Sequence, residues 1–312
     1  MRFVAAAELR ERLPMKALVS ALRWSFARGM VVPPRQVLAL PGGGSSLLMP
    51  AWREGGAYGV KVVNVCPANR EAGLPAVQAL YTLFDATTGV PRLLLDGAEL
   101  TTRRTAAASA LAAGFLAMPE PTLHLIVGSG QVASLLPEAM RVVRPTLARW
   151  LVWNHRVEGA EKLVAQLRER GFAAEVATEL PLAVASAHIV SCATLAEQPL
   201  VQGEWLAPGA HLDLIGSFTP AMQEADPACF ARSSVFVDTE EALAKSGCVL
   251  RAIEAGRFRA SALRGTLAQL ARGERPGRQQ AAEITLFKSV GTALEDLSAA
   301  ELVMQGLDNP AP

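Results

Sequence analysis

A glycine-rich hexapeptide, Gly128-Ser-Gly-Gln-Val-Ala133, follows directly on the apolar run Leu123–Val127. A buried strand leading into a tight turn and then a helix is the setting of the GxGxxA dinucleotide fingerprint. Gly128 permits the turn, Gly130 lets the backbone approach a pyrophosphate, and the small Ala133 lets helix and strand pack closely. Ser129, Gln131 and Val132 fill the other positions, and the first N–H groups of the helix offer the positive end of its dipole to the phosphates. A glycine turn alone occurs in other α/β domains; its place at the head of a strand–helix alternation selects the dinucleotide reading. Cofactor choice falls to the end of the second strand, Trp153-Asn154-His155-Arg156. A carboxylate there would hold the ribose hydroxyls of NAD(H). With none, and with Arg156 at hand for a 2′-phosphate, NADP(H) is favoured and NAD(H) is the alternative. The competing reading leaves Arg156 as a solvated residue at the start of the next helix.

Three other cations have a place in the argument. Lys61 interrupts the apolar strand Val60-Lys61-Val62-Val63 and reads either as a functional amine or as an edge lysine snorkelling to water. Arg35 follows Pro33-Pro34 in a loop and by itself reads as a surface charge. Arg104 stands near the start of an Ala-rich helix, where the dipole disfavours a cation and a bound anion would relieve it. The four cysteines and four histidines are scattered with no ligand spacing, so no metal site is expected.

These side chains need elements to hold them. Leu9, Leu13, Leu18, Leu22 and Phe26 predict a helix over residues 8–30. Short apolar runs at 46–49, 58–65, 76–84 and 92–95, the later ones separated by turn residues, predict a meandering antiparallel sheet. The stretch 101–118 suits a helix stopped by Pro119 and Pro121. Beyond it, apolar runs at 123–127, 150–153, 174–177, 189–192, 212–215 and 235–237 alternate with helical segments such as 158–170. That rhythm predicts a parallel, doubly wound sheet. Pro137, inside the helix after the fingerprint, predicts a kink or a short first helix.

A chain of 312 residues is longer than one core usually fills, so two domains are expected. Its 51% hydrophobic and 19% charged residues fit a packed globular protein. Thirty basic residues against 29 acidic give a net charge of +1, without the basic footprint of a nucleic-acid binder. Glu8, Arg10, Glu11 and Arg12 fall where a signal peptide needs an apolar run, and no stretch reaches the roughly 18 uncharged apolar residues of a membrane span. A cytoplasmic protein without membrane or nucleic-acid partners is expected.

Several stretches together resemble the ornithine cyclodeaminase/mu-crystallin family, which includes archaeal alanine dehydrogenases and imine reductases. They are Gly59-Val-Lys61-Val-Val-Asn-Val, residues 69–75, Leu100-Thr-Thr-Arg-Arg104-Thr-Ala-Ala and Gly128–Ala133. Gly273-Glu-Arg-Pro-Gly-Arg278 and Glu283-Ile-Thr-Leu-Phe-Lys-Ser-Val-Gly291 extend the match in the right order nearly to the C-terminus. The resemblance implies an α/β chain: a Rossmann doubly wound domain at 119–288 and a discontinuous α+β domain at 1–118, completed by about 289–312. It further implies that the second of these binds substrate and forms a homodimer, with the site in the cleft between domains. By the same resemblance Arg35 and Arg104 grip a small substrate's carboxylate, Lys61 is the active-site lysine, and Ser289 and Gly291 lie near the nicotinamide. Arginine forks match a carboxylate bidentately, and a lysine beside a carbon that gains or loses hydride can polarise an imine or move a proton.

One departure shapes the functional expectation. The family's cyclodeaminases carry an aspartate after the fifth Rossmann strand, and aligning Gly216, Pro220 and Glu224 puts Phe218 in its place. A phenyl ring takes no proton and balances no iminium charge. Asp213 reads as a satisfied buried polar residue and Glu224 as the start of a helix. The expected activity is therefore hydride transfer between NAD(P)(H) and a small imino, keto or amino acid. Cyclodeamination of ornithine to proline and ammonia stands as the alternative, and a non-enzymatic dinucleotide-dependent binding protein behind it.

Overall fold

The computed structural model describes residues 1–70 and 72–308; Glu71, in the 69–75 stretch, and residues 309–312 lie outside it. Two compact units divide the chain: Met1–Arg104 completed by the segment from Thr292 onward, and Thr105–Gly291.

The first unit opens with β1 (Arg2–Val4), α1 (Ala6–Arg12) and α2 (Met15–Arg28). The single helix expected over residues 8–30 is thus two. Pro14 has no N–H for the preceding turn and serves instead as the cap residue of α2. Then come β2 (Gln36–Ala39), β3 (Ser45–Trp52), β4 (Ala57–Val65), β5 (Val77–Asp85) and β6 (Pro91–Asp96). They form the antiparallel meander, ordered β6-β5-β4-β3-β2, and β1 joins its edge in parallel with β6. Helix α3 (Gly97–Leu116) begins a turn earlier than its Ala-rich stretch suggests, because Gly97 and Glu99 already belong to it.

Strand alternation divides the sheet's faces. Met49, Ala51, Gly59, Lys61, Tyr81, Leu83, Leu93 and Leu95 are buried together. The C-terminal helix packs on β3, β4 and α2. The alternate positions Leu38, Leu48, Val60, Val62, Leu80 and Phe84 are half-buried or exposed.

In the second unit β7 (Leu123–Val127), α4 (Gln131–Val143), β8 (Arg149–Trp153), α5 (Val157–Glu169), β9 (Ala174–Val176), α6 (Leu180–Ser186) and β10 (Ile189–Cys192) alternate as expected. They are followed by β11 (His211–Leu214), α7 (Pro227–Ala231), β12 (Ser234–Val237), α8 (Ala242–Lys245) and α9 (Gly247–Glu254). Last come β13 (Gly265–Thr266), α10 (Leu267–Arg272) and β14 (Thr285–Lys288), after which α11 (Ala293–Asp308) returns to the first unit. All eight strands pair in parallel in the order β13-β12-β14-β11-β10-β7-β8-β9. The last strand in sequence therefore sits inside the sheet, between β12 and β11. Leu125, Val127, Val190, Cys192, Leu212, Leu214, Val235 and Leu286 fill the core on these strands. Helix α4 runs through Pro137 to Val143, so the helix is not shortened there.

Candidate active site

In the first unit the buried sheet face carries a charged cluster. Lys61 is 1% exposed and lies on β4, an inner strand with two strands on one side and three on the other, so it does not snorkel. Its Nζ donates to Asp296 Oδ1 at 2.9 Å, stands 2.8 Å from Oδ2, and donates more weakly to Thr101 Oγ1 at 3.3 Å. Arg104 Nε donates to the same Asp296 Oδ1 at 3.0 Å, and Nη1 to Glu295 Oε2 at 2.5 Å. Arg104 stands two turns into α3, so its environment is set by these carboxylates and the helix-start argument does not apply. Burial, helped by the charge of Arg104, pushes the Lys61 ammonium down to about 8, with Asp296 acting against the shift. Burial alone would raise the Asp296 carboxyl, but Lys61 and Arg104 reverse this and hold it below the ordinary carboxylate range. The cluster thus keeps two cations and two anions in a dry setting where each needs the others.

Arg35 precedes β2, whose first residue Gln36 pairs with Leu48 while Met49 pairs with Lys61. Arg35 thus stands one residue before the strand that neighbours β3, and β3 in turn pairs with the strand of Lys61. Arg35 is half-buried. Opposite Lys61 on its other side is Tyr81, fully buried. A Cβ on Gly59 would lie 2.0 Å from the Tyr81 hydroxyl, so that glycine is the space the phenol occupies.

In the second unit, the fingerprint takes the expected conformation. Gly128 has φ +114°, and a Cβ there would sit 2.6 Å from the Ala193 carbonyl oxygen. Gly130 is the N-cap of α4 with open space beside its Cα, and the first bond inside the helix runs from Ser134 N–H to the Gly130 carbonyl. The helix mouth is accordingly built of backbone alone, at Gln131, Val132 and the buried Ala133. Asn154, just past β8, turns its Nδ2 onto the Arg156 carbonyl at 2.8 Å. Gly159 fits where a Cβ would strike both Asn154 Nδ2 at 2.6 Å and Ser129 Oγ at 2.7 Å. Fingerprint turn and second-strand end are thereby joined through a glycine that sequence reading passed over. His155 and Arg156 are exposed, and no carboxylate occurs from Trp153 to Val157. This donor set, a backbone helix mouth with a cation and no acid at the ribose end, fits a dinucleotide.

Past β14, Ser289 N–H donates to the Leu214 carbonyl at 3.1 Å. Gly291, at φ +75°, donates its N–H to Asp238 Oδ2 at 2.7 Å, as does Val290 at 2.8 Å. Lys288, fully buried, donates to the carbonyls of Leu214 at 2.9 Å and Gly216 at 2.5 Å, fixing the turn that carries Phe218. Phe218 is 42% exposed and follows Ser217, whose φ of +42° is rare for a residue with a side chain.

Asp213 and Glu224 are taken up by donors of the protein itself. Asp213 accepts from Ser109 at 3.1 Å and Ser191 at 2.9 Å, and Ser191 also meets His124 Nε2 at 3.0 Å. Burial pushes Asp213 up to about 7 against those bonds, and pushes His124 down to about 3. Glu224 does not start a helix. It is buried, accepts from the Thr194 N–H at 2.7 Å and Oγ1 at 2.9 Å, and is pushed up to about 7 by burial.

Sequence reasoning missed Glu295 and Asp296 because two acids opening a helix look like ordinary partners of its dipole. The signal was their company: both sit on the first turn of α11, most of whose residues are small or apolar and buried.

Known proteins resemble this chain over nearly its whole length. The model of the ornithine cyclodeaminase/mu-crystallin family matches residues 3–309. The Delta(1)-pyrroline-2-carboxylate reductase of Paracoccus denitrificans is 38% identical over 97% of this chain and 96% of its own. The structure of the Thermococcus litoralis Delta(1)-pyrroline-2-carboxylate reductase, in complex with NADH and L-proline, superposes with a TM-score of 0.93 at 30% identity, covering 99% of this chain and 98% of that one. An archaeal alanine dehydrogenase dimer with bound NAD gives a TM-score of 0.91 at 28% identity, over 98% and 96% of the two chains.

Proposed function

The chain belongs to the ornithine cyclodeaminase/mu-crystallin family as an NAD(P)-dependent oxidoreductase, and we propose that it reduces a small cyclic imino acid, Δ1-pyrroline-2-carboxylate or a close analogue, to the amino acid. The observation that carries this reading is the shared carboxylate: Asp296 holds Lys61 and Arg104 side by side.

When bound, the dinucleotide would supply the hydride for the imine carbon, and the Gly128–Ala133 turn, Asn154, His155, Arg156, Ser289 and Gly291 would hold it. The rest is the work of the chain. Arg104 Nη2 takes part in neither carboxylate pair and is directed to the substrate carboxylate, with Arg35 as the second cation. Lys61, an ammonium below about 8, gives a proton to the imine nitrogen. The C=N double bond becomes one C–H and one N–H bond.

Arg156 without a nearby carboxylate supports NADPH over NADH. The apolar face formed by Leu38, Leu48, Val60, Val62 and Leu80 supports a homodimer built on the first sheet. Free thiols at Cys66, Cys192, Cys229 and Cys248 suit a reducing cytoplasmic setting, and no described helix is long and apolar enough to cross a membrane. Phe218 in place of a proton acceptor speaks against cyclodeamination.

The test follows nicotinamide absorbance with Δ1-pyrroline-2-carboxylate. NADPH should be consumed, and Arg156→Ala should raise KM for NADPH by about tenfold, the order of one lost charged contact, while leaving NADH nearly unchanged. Conversion of ornithine to proline without added NADPH would overturn the reading, and equal use of NADH would remove the role given to Arg156.

A further inference from the structure

The parallel strands of the second unit end at the dinucleotide turn, and a separate basic depression lies at their opposite ends. It is a cavity of about 660 Å³ whose lining includes Arg257, Arg259, Arg264 and Arg275 with the hydroxyls of Ser233 and Ser261. Ser233 precedes β12 and Arg264 precedes β13, which places the cavity at the N-terminal edge of the sheet. A neighbouring cavity of about 790 Å³ shares Ser233, Arg264 and Arg275 with it.

We propose that this depression is a binding site for a compact, multiply charged phosphate compound, separate from the dinucleotide site. No carboxylate lines the first cavity. The acids nearest in sequence are committed elsewhere: Glu274 to Arg272 at 2.6 Å, Glu254 to Arg251 at 3.2 Å, and Glu283 to the N–H groups of Gln279 and Gln280. None of the four cavity arginines forms an ion pair with a described residue. All four are exposed, and Glu274, paired with Arg272, also acts on the charge of Arg275. The chain is otherwise nearly neutral, at +1, so this clustering is local.

The setting is also built. Phe258 packs against Phe230 with ring centroids 5.8 Å apart, and both line the cavity, giving it an apolar floor that screens charge poorly. The stem of Arg275 lies over Gly265, where a Cβ would come within 3.0 Å of its Cγ; that glycine lets the arginine lie close to the sheet. Planar guanidinium forks with hydroxyl donors match tetrahedral phosphate oxygens, and an open depression of this volume is the size of a small-molecule site.

The probe is inorganic pyrophosphate, titrated calorimetrically at low salt into protein already saturated with NADH. One equivalent should bind without displacing NADH, followed by its fluorescence, and binding should weaken as salt is raised. Arg264→Gln with Arg275→Gln should weaken it at least tenfold, and so should Arg257→Gln with Arg259→Gln, prepared in case the first pair folds poorly. Arg2→Gln, on the first unit, should leave it unchanged. The proposal is overturned if pyrophosphate fails to bind, if it displaces NADH, or if both pairs of variants bind it normally. Tighter binding of citrate than of pyrophosphate would overturn the phosphate assignment.

Discussion

Each unit buries polar groups beneath its sheet, and the two do it in opposite ways. In the first, Lys61, Arg104, Glu295 and Asp296 remain charged because each faces an opposite charge within 3.0 Å. In the second, Asp213 and His124 are hydrogen-bonded by hydroxyls, with the charge of Lys288 acting on Asp213 more weakly, and burial drives both toward their neutral forms. Pairing keeps a charge available for chemistry where water is excluded, while hydroxyl partners alone give a polar but uncharged core. The first arrangement suits binding an anion and moving a proton. The second suits holding strands in register.

The largest effect should come from breaking the pairing. Asp296→Asn leaves Lys61 and Arg104 buried with too little counter-charge, and unfolding in urea should show a loss of about 3–5 kcal/mol. Reductase activity should fall more than a hundredfold, measured at a temperature where the variant is folded. A loss below about 1 kcal/mol would mean that the ionic cluster is not what the paired geometry suggests.

The second cluster predicts a compensation that a variant can unmask. Asp213 and Glu224, raised to about 7, hold protons in the fold that the unfolded chain releases; their stabilisation is full below about 4 and lost as pH rises to 7. His124 and His211, lowered to about 3, do the reverse; their stabilisation is present above 6.5 and lost as pH falls toward 3. Between about 4.5 and 6.5 the two acids and two histidines therefore nearly cancel. Asp213→Asn removes one acid, so the variant should lose about 1.4 kcal/mol more than the wild type per unit of acidification across that window. Parallel urea curves at pH 4.5, 5.5 and 6.5 check it; an unchanged slope would mean that Asp213 is ionised in the fold.

The charged cluster gives a smaller but sharper signature in catalysis. Because Lys61 must be protonated to donate, kcat/KM for reduction should decline above about pH 8, by up to tenfold per unit. Lys61→Arg should move that limb upward or abolish it along with most of the activity. A limb that stays in place in an active Lys61→Arg enzyme would assign it to another group.

What the sequence disclosed and what it concealed divide along the same line. The fingerprint, the alternation from β7 to β12 and the meander from β3 to β6 depend on near neighbours, and their patterns were readable. The break at Pro14 was readable too but was outweighed by the leucine spacing around it. Asp296 was not, because its meaning depends on Lys61, 235 positions away. Glu224 was misread because Pro227, three residues on, is where the helix begins, under the cap of Asp226. Gly159 carries no local signal at all, since the atoms that require it belong to Ser129 and Asn154.

The position of β14 also bears on how the chain is made. Emerging from the ribosome in order, β7 to β13 can assemble only with a gap between β11 and β12, which stays open until Lys288 is clear of the exit tunnel. The first sheet likewise waits for α11, made after β14, to cover its buried face and neutralise Lys61. The second half can close once residue 291 is clear, while the first still waits for α11, and a nascent chain stalled near Gly273 would leave unpaired strand edges in one half and an uncovered lysine in the other.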